Sequence, residues 1–167
     1  VPVRGGDGRE ALMLYLALKI IHILSGAVLF GTGAGIAFFM LRAHMTRNVA
    51  TIAAVGKIVV LADFVFTASA VVVQPISGLG LIHLQGYALT EPWLLAAYAL
   101  YVLIGVCWLP VVWMQMKMAR LAQAATDKGE ALPPVYDRLF KGWFILGWPA
   151  FVGVIGIYWL MVAKPVF

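Results

Sequence analysis

Lys19, His22 and Asp63 are titratable side chains set inside long apolar stretches. An ionised group in hydrocarbon costs at least about 2.5–3.5 kcal/mol near a helix centre. Residues kept there at such a cost are the first place to look for chemistry. Lys19, His22 and Ser25 follow one another at i, i+3, i+6, which sets them on one helix face. Asp63, Thr67 and Gln74 share a second face at +4 and +11. The two stretches run antiparallel, so the faces are expected to meet in one polar seam. Three readings of the seam stay open. A neutral imidazole at His22 is a metal or haem ligand, with Asp63 orienting its ring. The same pair is part of a proton path. Or the seam is only a polar clamp between helices.

The other histidines play different parts. His44 is 22 residues beyond His22, about 33 Å along a continuous helix, and belongs to the rim beside Arg42. His83 lies in an apolar connection, Gly78-Leu79-Gly80-Leu81-Ile82-His83. It is the candidate second ligand if that loop dips back against the bundle. Phosphate-cradling, zinc-protease and nucleophile-elbow patterns are absent. Gly31-Thr32-Gly33-Ala34-Gly35 sits mid-stretch, where helix packing accounts for it better than nucleotide binding. Cys107, the single cysteine, excludes an internal disulfide framework and a cysteine-built metal cage; it reads as a small buried apolar residue.

The elements that must hold these residues follow from composition. Of 167 residues, 63% are hydrophobic and only 11% charged, against roughly 25% charged in soluble domains. The apolar residues gather in four runs, about 12–41, 50–75, 92–116 and 140–163. Each is long enough to cross a ~30 Å hydrocarbon core as a helix. Bare backbone polar groups are not tolerated in lipid, so the fold class is an all-α membrane protein with four transmembrane helices in an antiparallel bundle. Residues 1–11 read as a flexible tail, with Val1 or Met13 as the start. The connection 76–91 reads as an outer loop without Lys or Arg.

Charge assigns the sides. Arg42, Arg47, Lys57, Lys117, Arg120, Lys128, Arg138 and Lys141 flank the first and third turns, against Arg4, Arg9, Lys19 and Lys164 on the other side. Eight basic residues against four put the first and third turns in the cytoplasm and both termini outside, in the periplasm if the membrane is a bacterial inner membrane. The net charge of +5 is thus accounted for by orientation, and no basic run with interleaved aromatics supports nucleic-acid binding. Tyr87, Trp93, Tyr158 and Trp159 mark one interface; Trp113, Tyr136 and Trp143 mark the other. Trp108 and Trp148 sit deeper. Ala27, Gly31 and Gly35 repeat at i, i+4, i+8, the spacing of a close helix-packing face. Pro110 and Pro149 are candidate bends.

The stretch Tyr15-Leu-Ala-Leu-Lys19-Ile-Ile-His22-Ile-Leu-Ser25 resembles the opening helix of a bacterial family of four-helix integral membrane proteins of unknown function. So do Gln74-Pro75-Ile-Ser-Gly78, Pro92-Trp93-Leu, Cys107-Trp-Leu-Pro-Val-Val-Trp-Met-Gln115, Gly147-Trp-Pro-Ala150 and Tyr158-Trp-Leu-Met161-Val-Ala-Lys164-Pro165. That family is grouped with CopD-type copper-resistance proteins and with HemJ-type protoporphyrinogen oxidases. The Lys-x-x-His of the latter is similar to Lys19 and His22, and the resemblance implies b-type haem at His22. The HemJ-type lysine after a span-3 tryptophan is missing, since Trp93 is followed by Leu94, Leu95, Ala96 and Ala97. The first functional reading is therefore a haem-binding redox or electron-transfer protein. The alternatives are an accessory or scaffolding subunit of a larger membrane complex or homo-oligomer, and metal or solute passage along the seam.

Overall fold

The computed structural model describes residues 7–165. Its helices are α1 (Asp7–Thr46), α2 (Val49–Ala62), α3 (Ala68–Gln85), α4 (Pro92–Lys128) and α5 (Pro134–Ala163), with a π-helical segment Asp63–Thr67 joining α2 to α3. These make four rods long and apolar enough to cross a membrane, the second spanning Val49–Gln85. The helices outrun the apolar runs that seed them. α1 has 40 residues, about 60 Å at ~1.5 Å per residue. It takes in residues 7–11 of the expected tail; residues 1–6 lie outside the described part.

The largest departure from the sequence reading is in the second span. Pro75 was the expected stop and 76–91 the expected loop, but α3 continues through Pro75 to Gln85. Proline lacks the N–H that would reach back to residue i−4, which here is Val71. The Tyr101 hydroxyl of α4 donates to the Val71 carbonyl instead, at 2.5 Å. A neighbouring helix thus satisfies the carbonyl that proline frees, which is how a membrane helix tolerates an internal proline. The chain turns only at Gly86, whose φ of +69° caps α3 in the left-handed conformation. Gly129 caps α4 in the same way, and Pro92 and Pro134 open α4 and α5 at a position that needs no N–H. Between α1 and α2 the turn is tight. Arg47 takes φ +54°, and the Asn48 side chain accepts from Thr51 N–H at 2.9 Å.

Neighbouring rods are antiparallel. Moving back along α1 from Gly26 to His22 to Leu18, the α3 partner moves forward from Gln74 to Gly78 to Gly80. Likewise Met114, Ile104 and Leu100 of α4 meet Gly142, Gly153 and Gly156 of α5. α1 packs on the second span, α2 on α4, and α4 on α5. α1 and α5 touch through rings, Phe30 stacking on Phe151 at 5.1 Å. The bundle thus has a terminal end, with Asp7, Lys164 and the α3–α4 connection, and a turn end, with the α1–α2 and α4–α5 connections.

The larger apolar core fills the turn-end half, where Met40, Ile52, Val59, Met118, Tyr136 and Phe140 interlock. A smaller one, around Ile82, Trp93, Leu94, Ala97 and Leu160, closes the terminal end. There Lys164 donates to the Tyr87 hydroxyl at 2.8 Å and lies over the Trp93 ring. Trp93, Tyr136 and Trp143 are buried within these cores, so these three interface aromatics serve packing inside the bundle. Large apolar side chains also cover the outside, among them Ile58 at 65% and Leu61 at 63% exposed. A contiguous apolar exterior of this kind suits hydrocarbon. At the turn end Arg47 pairs with Asp137 at 3.1 Å, both well exposed; such a pair contributes at most about 1 kcal/mol.

Close helix approach occurs, but away from the expected ridge. A Cβ at Gly56 would lie 3.3 Å from the Ala119 backbone of α4. Gly31 has nothing within 4 Å, Gly35 meets only Phe39 of its own helix, and Ala27 is exposed. On the expected packing face Ala27, Gly31, Gly35, the two glycines thus border an apolar groove against the second rod without close backbone contact. We expect Gly56→Val to lower the melting temperature in detergent and Gly31→Val to leave it unchanged. Tyr101→Phe should destabilise by about 0.6–1.7 kcal/mol, the range of interhelical hydrogen bonds in membranes. That cost should shrink toward zero in a Pro75→Ala background, where the backbone N–H returns; a double-mutant cycle by denaturant unfolding reads it.

Candidate functional site

The polar residues inside the bundle form two separate groups. The first surrounds Asp63, which is 4% exposed and opens the π-helical segment. Such wide turns are frequent at functional sites. Trp108 Nε1 of α4 donates to Asp63 Oδ1 and Gln115 Nε2 to Asp63 Oδ2, both at 3.4 Å. Gln115 Nε2 also reaches the Val59 carbonyl at 3.5 Å. Trp143 Nε1 of α5 donates to Gln115 Oε1 at 3.2 Å. An indole nitrogen can only donate, so Trp143 holds the Gln115 oxygen and turns its amino group toward Asp63. Thr67, one turn on, also sits by the carboxyl, and its enclosed hydroxyl finds no other hydrogen-bond partner. No Lys or Arg pairs with Asp63; the ion pair found among the described residues is Arg47–Asp137.

The second group lies toward the terminal end between α1 and α3. His22 Nδ1 is 3.0 Å from Ser77 Oγ. Ser77 donates its own proton to the Val73 carbonyl at 2.7 Å and is close to that of Gln74. Its oxygen is therefore left as the acceptor, and His22 carries the proton on Nδ1. Nε2 then holds a bare lone pair, with no hydrogen-bond partner among the described residues. Gly78 makes room for the ring, since a Cβ there would lie 3.2 Å from His22 Cε1. Ser25 donates to Gln74 Oε1. Gln74 Nε2 and the Tyr158 hydroxyl of α5 both crowd the Cα hydrogen of Gly26.

The single seam expected from the sequence is thus two islands. Ser25 and Gln74 meet, but Asp63 does not reach His22. His22 pairs with Ser77, fourteen residues beyond Asp63 and about 20 Å along the rod. Treating Pro75 as the end of the second span placed Asp63 too close to the outer end. Lys19 is exposed and lies over the Tyr15 ring at 5.4 Å, outside both islands. His83 is exposed in the last turn of α3 and makes no bond to His22. His44 stacks on Phe140 at 3.7 Å at the turn end. Trp143 is read from the sequence only as an interface aromatic, and Gln115 and Ser77 are given no site role there. The signal for Gln115 was present, a glutamine seven residues after the deep Trp108 and hence on the same face. Ser77 was hidden by its assignment to a loop.

Among the described residues no three His, Cys, Asp or Glu side chains gather as a metal cage, and Cys107 is buried and free. What the islands offer is an imidazole with a fixed tautomer near one end and an enclosed carboxyl near the middle. No curated protein and no solved structure matches this chain. A family model, that of the predicted integral membrane proteins DUF2269, matches residues 16–165, which takes in both islands. With four apolar rods and that match over nearly its whole length, the chain is an integral membrane protein of the DUF2269 family.

Proposed function

We propose that this chain is a small redox subunit of the bacterial cytoplasmic membrane that holds b-type haem through His22. The observation that carries the reading is the contact of His22 Nδ1 with Ser77 Oγ at 3.0 Å. Ser77 Oγ accepts from Nδ1–H, so the remaining nitrogen is a neutral, unprotonated ligand atom of the kind haem iron accepts. A hydroxyl acceptor behind a ligating imidazole also fixes ring orientation and raises ligand basicity. The donor chemistry therefore fits a haem ligand. Nε2 is not among the enclosed unpaired atoms, so the ring system would lie against the outside of the α1–α3 pair. Lys19, exposed one turn away, offers a positive charge for carboxylate side groups. His83, also exposed, is the second ligand this chain can offer from α3. Haem, when bound, supplies one-electron chemistry, and the chain's part is to hold and tune it. The eight-to-four bias in basic residues supports a cytoplasmic turn end and a periplasmic terminal end.

A second reading has its own observation. Gly31 stands on α1 with nothing within 4 Å, beside an apolar groove formed with Ile58, Ala62 and Phe66. That supports an accessory subunit packing against a larger membrane complex or another copy.

The absorption spectrum of freshly extracted protein separates these readings. A Soret band is expected in the wild type, with none in His22→Ala. Ser77→Ala keeps the ligand but should weaken haem affinity about 10–100-fold, as loss of a ligand-orienting partner does elsewhere. A folded, colourless protein from haem-replete cells would sink the haem reading. Loss of a co-purifying partner in Gly31→Leu would then favour the accessory role.

A further inference from the structure

The environment of Asp63 has an unfilled place in its hydrogen bonding. An ionised carboxylate buried without a cation is strongly disfavoured. A bound metal or alkali cation does not complete this site. The groups turned on the carboxyl from α4 are N–H donors, Trp108 Nε1 and Gln115 Nε2, and their positive ends repel a cation. A proton completes it. Asp63 in the acid form has one O–H to donate, and the Thr67 hydroxyl oxygen beside it, with no other partner, can accept it. One proton therefore removes the buried charge and satisfies the unpaired threonine.

A line of exchangeable groups runs from that proton toward the terminal end. Four residues past Thr67 the Val71 carbonyl carries the Tyr101 hydroxyl. Three further on, Gln74 bonds to Ser25 and meets the Tyr158 hydroxyl across Gly26. Successive groups are about 4.5–6 Å apart along the rod, a gap that one water with polar partners on both sides can bridge. Toward the turn end no such line is found among the described residues. Gln115 and Trp143 back directly onto the apolar core of Met40, Ile52 and Met118.

We propose that Asp63 is a buried proton-exchange site whose proton moves toward the terminal end by way of Thr67, Tyr101, Gln74 and Tyr158. In each hop an oxygen or amide accepts one proton and passes on another, so only Asp63 and the outermost acceptor change charge. No charged group competes along the way. Residues 23–41 of α1 hold no titratable side chain, 58–82 hold Asp63 alone, 92–116 hold Tyr98, Tyr101 and Cys107, and 142–163 hold Tyr158. The route leaves His22 Nε2 unused, so it stands whether or not haem binds there.

Infrared spectroscopy of the full chain in lipid nanodiscs tests this directly, because Asp63 is the buried carboxyl among the described residues. The wild type at neutral pH should show a carboxylic-acid C=O band that is lost in Asp63→Asn. In Thr67→Val the band should move to higher frequency as its hydrogen bond is lost, which assigns it even if the asparagine variant misfolds. On transfer to D2O the band should shift downward as deuterium enters, about tenfold more slowly in Gln74→Leu with the same helical content. Absence of the acid band from folded wild type overturns the proposal. So does a band whose deuteration is as fast in Gln74→Leu as in the wild type.

Discussion

A peptide group in hydrocarbon has no water to bond, so each backbone N–H and C=O must find a partner inside the protein. This constraint turns every apolar run into a helix and shapes the irregular places as well. Pro75 would leave the Val71 carbonyl bare, and Tyr101 of the next rod fills it. At the wide π-helical turn Ala68 N–H reaches back to the Asp63 carbonyl, and Gln115 enters from α4 to bond both Val59 and Asp63. Hydroxyls follow the same rule: Ser69, Ser77 and Thr126 bond the carbonyl one turn back in their own helices.

The two polar islands differ in how they are built, and so in what they offer. At His22 one ring nitrogen is held by Ser77 and the other is left open at the edge of α1 and α3. It suits a group arriving from outside the rod pair. At Asp63 the carboxyl is enclosed and surrounded by donors from α4, with its amide neighbour locked by Trp143 of α5. The large turn-end core and the small terminal-end core make the halves of the bundle unequal, with the His22 group beside the thinner one and the Asp63 group backed by Trp143 of the larger.

Particular residues show how far a linear reading reaches. Composition and run length lead to four antiparallel apolar rods, and Lys19, His22, Ser25, Asp63, Thr67 and Gln74 are visible as costly or polar residues in apolar surroundings. Their pairing is harder to read, because a proline inside a membrane helix resembles a helix end. Taking Pro75 as a stop moved Asp63 toward the outer end and hid Ser77 in a supposed loop. The Ala27-Gly31-Gly35 spacing identifies a narrow helix face without saying whether anything meets it. In this chain Gly56, Gly78 and Gly153 are among the places where another rod comes close.

From its residue order alone this protein is a membrane-spanning bundle with a few polar groups kept inside it, because hydropathy and run length are properties of the linear chain. Which polar groups meet was decided by the tertiary structure. That depends on axial register and on the direction each side chain faces, and both are set by contacts between rods: Tyr101 on Val71, Gln115 on Asp63 and Ser77 on His22.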